Sequence, residues 1–566
     1  MASLLQRFLP QTEFKDYDDF IANYRVNYDE SFNFAYDVVD VYAKEQPNKK
    51  ALVWCDDHGG DECFTFADMS KRSNQVANAF RRLGIGKGDT VMLISKGRYE
   101  FWFCLLGLHK LGAVAIPATH LMTRGDIVYR LREASIKMVV SVDSENLPDQ
   151  VDDAHAAYNE FLETKICLSG HRDGWHNFYD LIDAESEEME RVKTNVHDRM
   201  FLYFTSGTTG HPKMVQHNFA YPLGHIITAK YWQNVVDDGL HYTVSDTGWA
   251  KAVWGKIYGQ WIAGSAVFAH DYDLFSVLNT LHRLQEYKVT TFCAPPTIYR
   301  LFVRQDLHKY DLSKLGYCVT AGEAMEPDVF KRFYEMTGMK VYEGYGQTEL
   351  TLTTANFVWM DPKPGSIGKP SVGYDIRLLN NNDESVPHGE DGELSIYTGK
   401  GRPLGMFEGY YRDEKLTQSV WFNNFYRTGD VVRGDEDGYL WYVGRADDLI
   451  KSAGYRVGPY EVESVLIKHP SVQECAVTGV PDSKRGQLIK ATVILAEGFL
   501  PSKALEVELR QFVKSLTSSY KCPRIIEFVK ELPKTISGKI RRVAIRGEKK
   551  ENKSTGMEGE GGASPA

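Results

Sequence analysis

The sequence predicts an α/β protein of two domains: a large N-terminal domain of layered β-sheets with helices, and a small C-terminal domain of α+β type. Three observations lead there. Apolar runs of strand length alternate with helix-length patterns through the body of the chain. The pattern changes at Gly444-Arg445-Ala446-Asp447-Asp448 and then becomes short and self-contained. The length, 566 residues, lies beyond the ~250–300 at which a single hydrophobic core stops growing.

In chain order, Val91-Met92-Leu93-Ile94 reads as a buried strand, 101–111 as a helix, and Ala113-Val114-Ala115-Ile116-Pro117 as the next strand. Pro327 opens a helix with Val329, Phe330, Phe333 and Tyr334 on one face; Gly338 ends it before a strand at 339–342. The segment Glu343-Gly344-Tyr345-Gly346-Gln347-Thr348-Glu349 therefore hangs from a strand end, where open α/β sheets usually hold ligands. From Thr428 to Tyr442 a Gly- and Asp-rich stretch reads as a β-hairpin. Beyond the boundary come a helix at 459–467 ended by His469-Pro470 and a strand at 488–495. A helix with Leu505, Leu509, Phe512, Val513 and Leu516 on one face and a strand at 525–529 complete the unit. The expected domains are 1–446 and 447–546. The end, 547–566, rich in Lys, Glu, Gly and Ser, is expected to be a disordered tail.

Composition narrows the function. With 43% hydrophobic and 25% charged residues the chain has the material for a sizeable core, which excludes bulk disorder. Its net charge of −10 argues against a general nucleic-acid binder working by phosphate neutralisation, but leaves room for a local basic site. The cysteines at 55, 63, 104, 167, 293, 318, 475 and 522 form no CxxC pair, so a reducing compartment without structural zinc is expected. The most apolar stretch, 101–108, stops at His109 and Lys110, short of the ~20 residues of a membrane span. The N-terminus lacks the apolar core of a secretory signal, which makes a cytoplasmic enzyme the default expectation.

The chemistry concentrates in Tyr203-Phe204-Thr205-Ser206-Gly207-Thr208-Thr209-Gly210-His211-Pro212-Lys213, directly after the apolar Phe201-Leu202. Glycines that let backbone N–H groups approach, hydroxyl donors and one ammonium are what a polyphosphate needs. The spacing is not that of a Walker loop.

This stretch resembles the phosphate loop, T-S-G-T-T-G-x-P-K, of the AMP-forming acyl-CoA synthetase and adenylate-forming superfamily. The resemblance runs from about residue 35 to 545 and is nearest to medium-chain acyl-CoA synthetases, judged from Asp246-Thr247-Gly248-Trp249 and the run from Tyr520 to Val529. It implies a small β-barrel-like subdomain in the large domain and a mobile C-terminal lid. It implies that Thr205 to Lys213 bind ATP phosphates, that Thr348 holds the α-phosphate and substrate carboxylate, and that Glu349 holds Mg²⁺. Glu343, Gly344, Tyr345, Gly346 and Gln347 belong to the same motif, and Gly322-Glu323-Ala324 resembles the adenine wall. Asp430, in Tyr426-Arg427-Thr428-Gly429-Asp430, would accept from the ribose hydroxyls, with Arg445 near the ribose and Asp447 as the hinge. Lys539, in Pro533-Lys534-Thr535-Ile536-Ser537-Gly538-Lys539, would be the catalytic lysine, and Arg456 joins the ATP-binding set. Coenzyme A would meet Ala453, Gly454, Tyr455, Arg485, Lys514, Cys522, Pro523 and Arg524. Any one of these motifs alone would be an ordinary turn or loop end; in order along one chain they support each other.

The acyl pocket is expected to involve Trp249, Gly346 and Thr348. Acetyl-CoA synthetases place a tryptophan just before the glutamine of the second motif; Gly346 stands there in this chain, which predicts open volume and a preference over acetate of ~0.8 kcal/mol per extra methylene. Trp254 and Trp261 read as core, and Lys256 as functional or snorkelling to solvent. The expected activity is ATP-dependent activation of a short-to-medium-chain, branched or aryl carboxylic acid and transfer to coenzyme A. Two alternatives stand beside it: an adenylating enzyme serving a carrier protein, and a non-catalytic acyl or nucleotide sensor. A homo-oligomer is compatible with all three.

Overall fold

The computed structural model describes residues 3–144, 146–158, 160–205, 212–452, 455–534 and 540–547. Two compact units divide the chain: Met1–Thr205 with Lys213–Ala446 form the larger, and the second is taken up at Asp447.

Two sheets organise the larger unit. The first runs, edge to edge, His176–Asn177, Thr164–Cys167, Met138–Ser141, Thr90–Ile94, Val114–Pro117, Arg199–Thr205 and Lys213–Asn218. All neighbours are parallel except the last pair, where Thr205 faces Lys213. Every side chain of Thr90–Ile94 is buried, as a parallel strand covered on both faces requires. The helix Glu100–Leu111 is apolar nearly all round and buried along its whole length. His109 and Lys110 do not mark a return to solvent: both are buried, with Lys110 Nζ paired to Asp40 at 2.7 Å and donating to Asn74 Oδ1 at 2.6 Å.

The second sheet has a parallel part, in the order Lys50–Asp56, Ala266–Asp271, Leu240–Thr243, Thr291–Ala294, Tyr317–Thr320 and Val341–Tyr345. An antiparallel arm then continues through Thr354–Ala355, Ser366–Pro370, Leu440–Arg445, Phe425–Gly434, Asp391–Tyr397 and Asp375–Leu379. The hairpin read from Thr428 to Tyr442 lies in this arm.

Several local expectations shift. The helix Pro327–Thr337 is closed by Gly338 at φ 71°, but it meets the core through Phe333, with Val329 and Phe330 partly buried; Tyr334 is 45% exposed. The strand that follows is Val341–Tyr345, so Glu343 to Tyr345 lie inside it and only Gly346 onward is loop. In the smaller unit a long hairpin, Val472–Asp482 against Gly486–Leu495, carries Ile525–Phe528 on one side, with Pro459–Leu466 and Lys503–Leu516 as its helices. Leu505, Leu509 and Val513 are buried, whereas Leu516, the last helical residue, is 54% exposed. All eight cysteines are free, and six are buried. No helix among the described residues is long and apolar enough to cross a membrane. The tail expected at 547–566 lies outside the described residues apart from Gly547.

Candidate active site

Four motif segments of the larger unit lie at or after the C-terminal ends of parallel strands, whereas Asp430 and Arg445 face each other across antiparallel strands of the arm. Thr205 ends Arg199–Thr205; Asp246 to Trp249 follow Leu240–Thr243; Gly322-Glu323-Ala324 follow Tyr317–Thr320; Gly346 to Glu349 follow Val341–Tyr345. Residues 206–211 lie outside the described residues, while Pro212 and Lys213 flank them at the start of the next strand. Strand ends bring together groups distant in sequence because every strand of a parallel sheet delivers its loop to one edge.

Asp430 accepts four hydrogen bonds. It is 5% exposed; its Oδ2 accepts from Tyr345 Oη at 2.5 Å and Gln347 Nε2 at 2.6 Å, and its Oδ1 from Tyr442 Oη and Arg445 Nη1, each at 3.3 Å. Burial and the neighbouring Asp430 push the Tyr345 phenol far up, so it remains a donor. Gln347 also donates to the Thr428 carbonyl at 2.9 Å and accepts from Tyr426 Oη at 2.9 Å. Gly429, at φ 72°, leaves room for the guanidinium: a Cβ there would fall 2.7 Å from Arg445 Nη2.

Thr348 and Glu349 follow Gln347 directly in the chain. Glu349 Oε1 accepts from Tyr410 Oη at 2.8 Å. The Thr348 carbonyl accepts from His217 Nε2 at 2.7 Å, which fixes the tautomer of a ring whose pKa burial lowers to about 4. Lys213 Nζ lies over the Tyr410 ring, 5.1 Å from its centroid. Among the described residues no three His, Cys, Asp or Glu side chains form a metal cage. Glu349 offers one carboxylate, the donor set of a hard cation held mainly by substrate phosphates.

The segment that follows Tyr317–Thr320 is tied to the strand Val341–Tyr345. Glu343, 4% exposed, accepts from Met325 N–H at 3.2 Å, and burial raises its carboxyl well above the usual range. Glu323 pairs with Arg300 at 2.9 Å, and Gly322 is exposed beside the buried Ala324.

The expected acyl-pocket residues fall out differently. No room opens over Gly346: a Cβ there would lie 2.3 Å from Trp254 Cη2 and 2.4 Å from the Thr351 carbonyl oxygen. The Trp254 indole stands against Gly346 instead, so the absence of a tryptophan at 346 opens no volume there, contrary to the expectation from the sequence. Trp261 is fully buried, with its indole N–H on the Ala51 carbonyl at 2.9 Å. Trp249 is half-buried at the N-cap of Ala250–Gly255. Lys256 does not snorkel; it is 4% exposed, donates to the Ser245 carbonyl at 2.6 Å, and burial lowers its pKa to about 8.

In the smaller unit Tyr455 and Tyr520 stack face to face, centroids 4.2 Å apart at 13°, and both are exposed. Cys522 donates to the Arg510 carbonyl at 3.4 Å; burial pushes its thiol up, opposed by Arg524, Arg510 and Lys514 nearby. Pro523 is buried, and Arg456, Arg485, Lys514 and Arg524 are exposed. Arg485 stands apart from these neighbours along the chain, in the turn of the long hairpin, its N–H on Asp482 at 2.8 Å. Asp447 is exposed at the start of this unit. Ala453, Gly454 and Lys539 lie outside the described residues. Tyr410 and His217 carry no signal in the sequence, since an isolated aromatic has no spacing pattern and only pairing across strands reveals them.

Comparison with known proteins agrees with this layout. The family model described as AMP-binding enzyme matches residues 39–411, and its C-terminal domain matches 461–539. Acyl-coenzyme A synthetase ACSM4, mitochondrial, of Rattus norvegicus is 40% identical over 526 residues, 91% of this chain and 90% of the relative. Acyl-coenzyme A synthetase ACSM3, mitochondrial, of Mus musculus is 38% identical over 543 residues, 94% of this chain and 93% of the relative. Among solved structures, the anthranilate CoA ligase AuaEII in complex with anthranoyl-AMP superposes with a TM-score of 0.84 at 30% identity, covering 92% of this chain and 98% of that one. The default expectation of a cytoplasmic enzyme is overturned by these relatives, since both synthetases are mitochondrial proteins. Matched by both family models and by these relatives along most of its length, the chain belongs to the AMP-binding enzyme family, with the acyl-coenzyme A synthetases.

Proposed function

We propose that the chain activates a short-to-medium-chain, branched or aryl carboxylic acid with ATP and passes the acyl group to coenzyme A. The observation that supports this is that Tyr410 touches both Lys213 and Glu349, while Tyr345, in the strand that leads into Thr348, donates to Asp430. The carboxylate oxygen attacks the α-phosphorus, the bond to pyrophosphate breaks, and an acyl adenylate forms. The thiol of coenzyme A then attacks the acyl carbon, loses its proton and displaces AMP.

Two anions must meet in the first step, so positive charge has to be supplied where the phosphorus becomes more negative. Mg²⁺ bound at Glu349 supplies part of it when present. Lys213 neutralises the departing pyrophosphate, Lys539 covers the reacting phosphate, Thr348 orients the acid, and Asp430 exchanges its tyrosine and glutamine partners for ribose hydroxyls. Asp447 is the hinge about which 447–546 exchanges one half-reaction for the other, and the stacked Tyr455 with the cations around Cys522 receives the nucleotide end of coenzyme A.

Lys539→Ala should abolish ATP–pyrophosphate exchange while thioester formation from supplied acyl adenylate stays within about threefold of wild type. Equal loss of both half-reactions would remove the division of roles.

A further inference from the structure

Lys213 and Glu349 bring opposite charges into one site. Left alone, such groups close into an ion pair, which would consume the positive charge that a polyphosphate needs. They are not paired here. Tyr410 stands between them, its hydroxyl on Glu349 Oε1 at 2.8 Å and its ring under Lys213 Nζ at 5.1 Å from the centroid. A phenol donating to a carboxylate is a charge-assisted hydrogen bond, and an ammonium over an aromatic face is held by the ring quadrupole; one side chain thus satisfies both ions without letting them touch.

The backbone fixes this arrangement from both sides. Tyr410 bridges Val215, Glu408 N–H donates to the Gln216 carbonyl at 2.9 Å, and Tyr411 N–H donates to the Met214 carbonyl at 2.8 Å, so the segment is registered against the strand that begins at Lys213. Phe407 N–H donates to the Glu349 carbonyl at 2.8 Å, which ties the same segment to the other motif. Tyr410 is buried, 5% exposed, and its ring packs on Phe407 with centroids 5.3 Å apart.

We propose that Tyr410 is a positioning residue that holds Lys213 and Glu349 apart, keeping the ammonium available to ATP phosphates. This rests on the reading of Lys213 as the polyphosphate cation. It is tested by titrating the full chain with ATP in the presence of EDTA, so that binding is read without a metal and without turnover. Tyr410→Phe, which keeps the ring and the fold, should weaken ATP about threefold, and Tyr410→Leu about tenfold. Adding Glu349→Gln should bring each back to within about twofold of the Glu349→Gln single variant, because the competing carboxylate is gone. Wild-type affinity in either Tyr410 variant, or a Glu349→Gln effect of the same size with and without Tyr410, would overturn the proposal. Wild-type protein that binds no ATP even with Mg²⁺ added would instead refute the ATP reading on which it stands.

Discussion

A Cβ at position 346 would fall 2.4 Å from the Thr351 carbonyl oxygen, which is backbone and has nowhere to turn, and 2.3 Å from Trp254 Cη2, a ring held in packed surroundings. Gly346→Ala should therefore distort the motif that carries Thr348 and Glu349, costing about 1–3 kcal/mol of stability, read by thermal melting, and most of the adenylation rate. Trp254→Leu removes the ring instead. It should raise the kcat/KM ratio of octanoate to butanoate about tenfold, since room for two methylenes is worth about 1.6 kcal/mol; an unchanged ratio would place Trp254 outside the acyl pocket. At this scale the sequence was informative where chemistry demands particular residue types in a run, as from Thr205 to Lys213. It was silent where one ring does the work, because Trp254 looks like core and Tyr410 like any tyrosine until strands distant in sequence are paired.

Among the elements, the parallel strands and the helix Glu100–Leu111 were legible because burial on every side leaves a continuous apolar run. The strand Val472–Asp482 was not, since it carries Gly479 and Pro481, residues that usually end strands. The same small unit shows how its last described helix is held. Arg542 Nη2 meets both carboxylate oxygens of the buried Glu463 at 2.7 Å, Glu463 also accepts from Val477 N–H at 2.7 Å, and Arg546 pairs with Asp448 at 2.9 Å. Arg542→Ala would leave a buried carboxylate without its principal cation and should destabilise the unit by about 3–5 kcal/mol. Hydrogen exchange across Pro459–Leu466 reads this directly; Glu463→Gln in the same background should recover part of the protection, and unchanged exchange in Arg542→Ala would show that the pair contributes little.

For the whole molecule, the acidic balance was visible in the sequence, but the state of its buried histidines was not, because burial is a property of the fold. Desolvation lowers the pKa of His109, His225 and His241 to about 3 and that of His217 to about 4. An unfolded histidine titrates near ~6.5. The folded values lie below the unfolded one, so between these limits the unfolded chain binds more protons and stability falls as pH falls. Each group costs up to about 1.4 kcal/mol per pH unit in that window. The melting temperature should be insensitive to these histidines above pH 7.5 and drop steeply from pH 6.5 towards 5. A melting temperature level down to pH 5 would mean that these rings take up protons in the folded protein.

The geometry of the larger unit and the residues expected in the smaller one describe a catalyst that joins an acid to AMP and then to a thiol. Pyrophosphate release, followed with ATP, Mg²⁺ and coenzyme A over acids from acetate to decanoate with 2-methyl-branched and benzoic acids included, tests that description most directly. Release should depend on the acid, be matched mole for mole by acyl-CoA, and reach its maximum with a short-to-medium-chain, branched or aryl acid. Pyrophosphate release that ignores the acid, or acid-dependent release with no thioester formed, would contradict it.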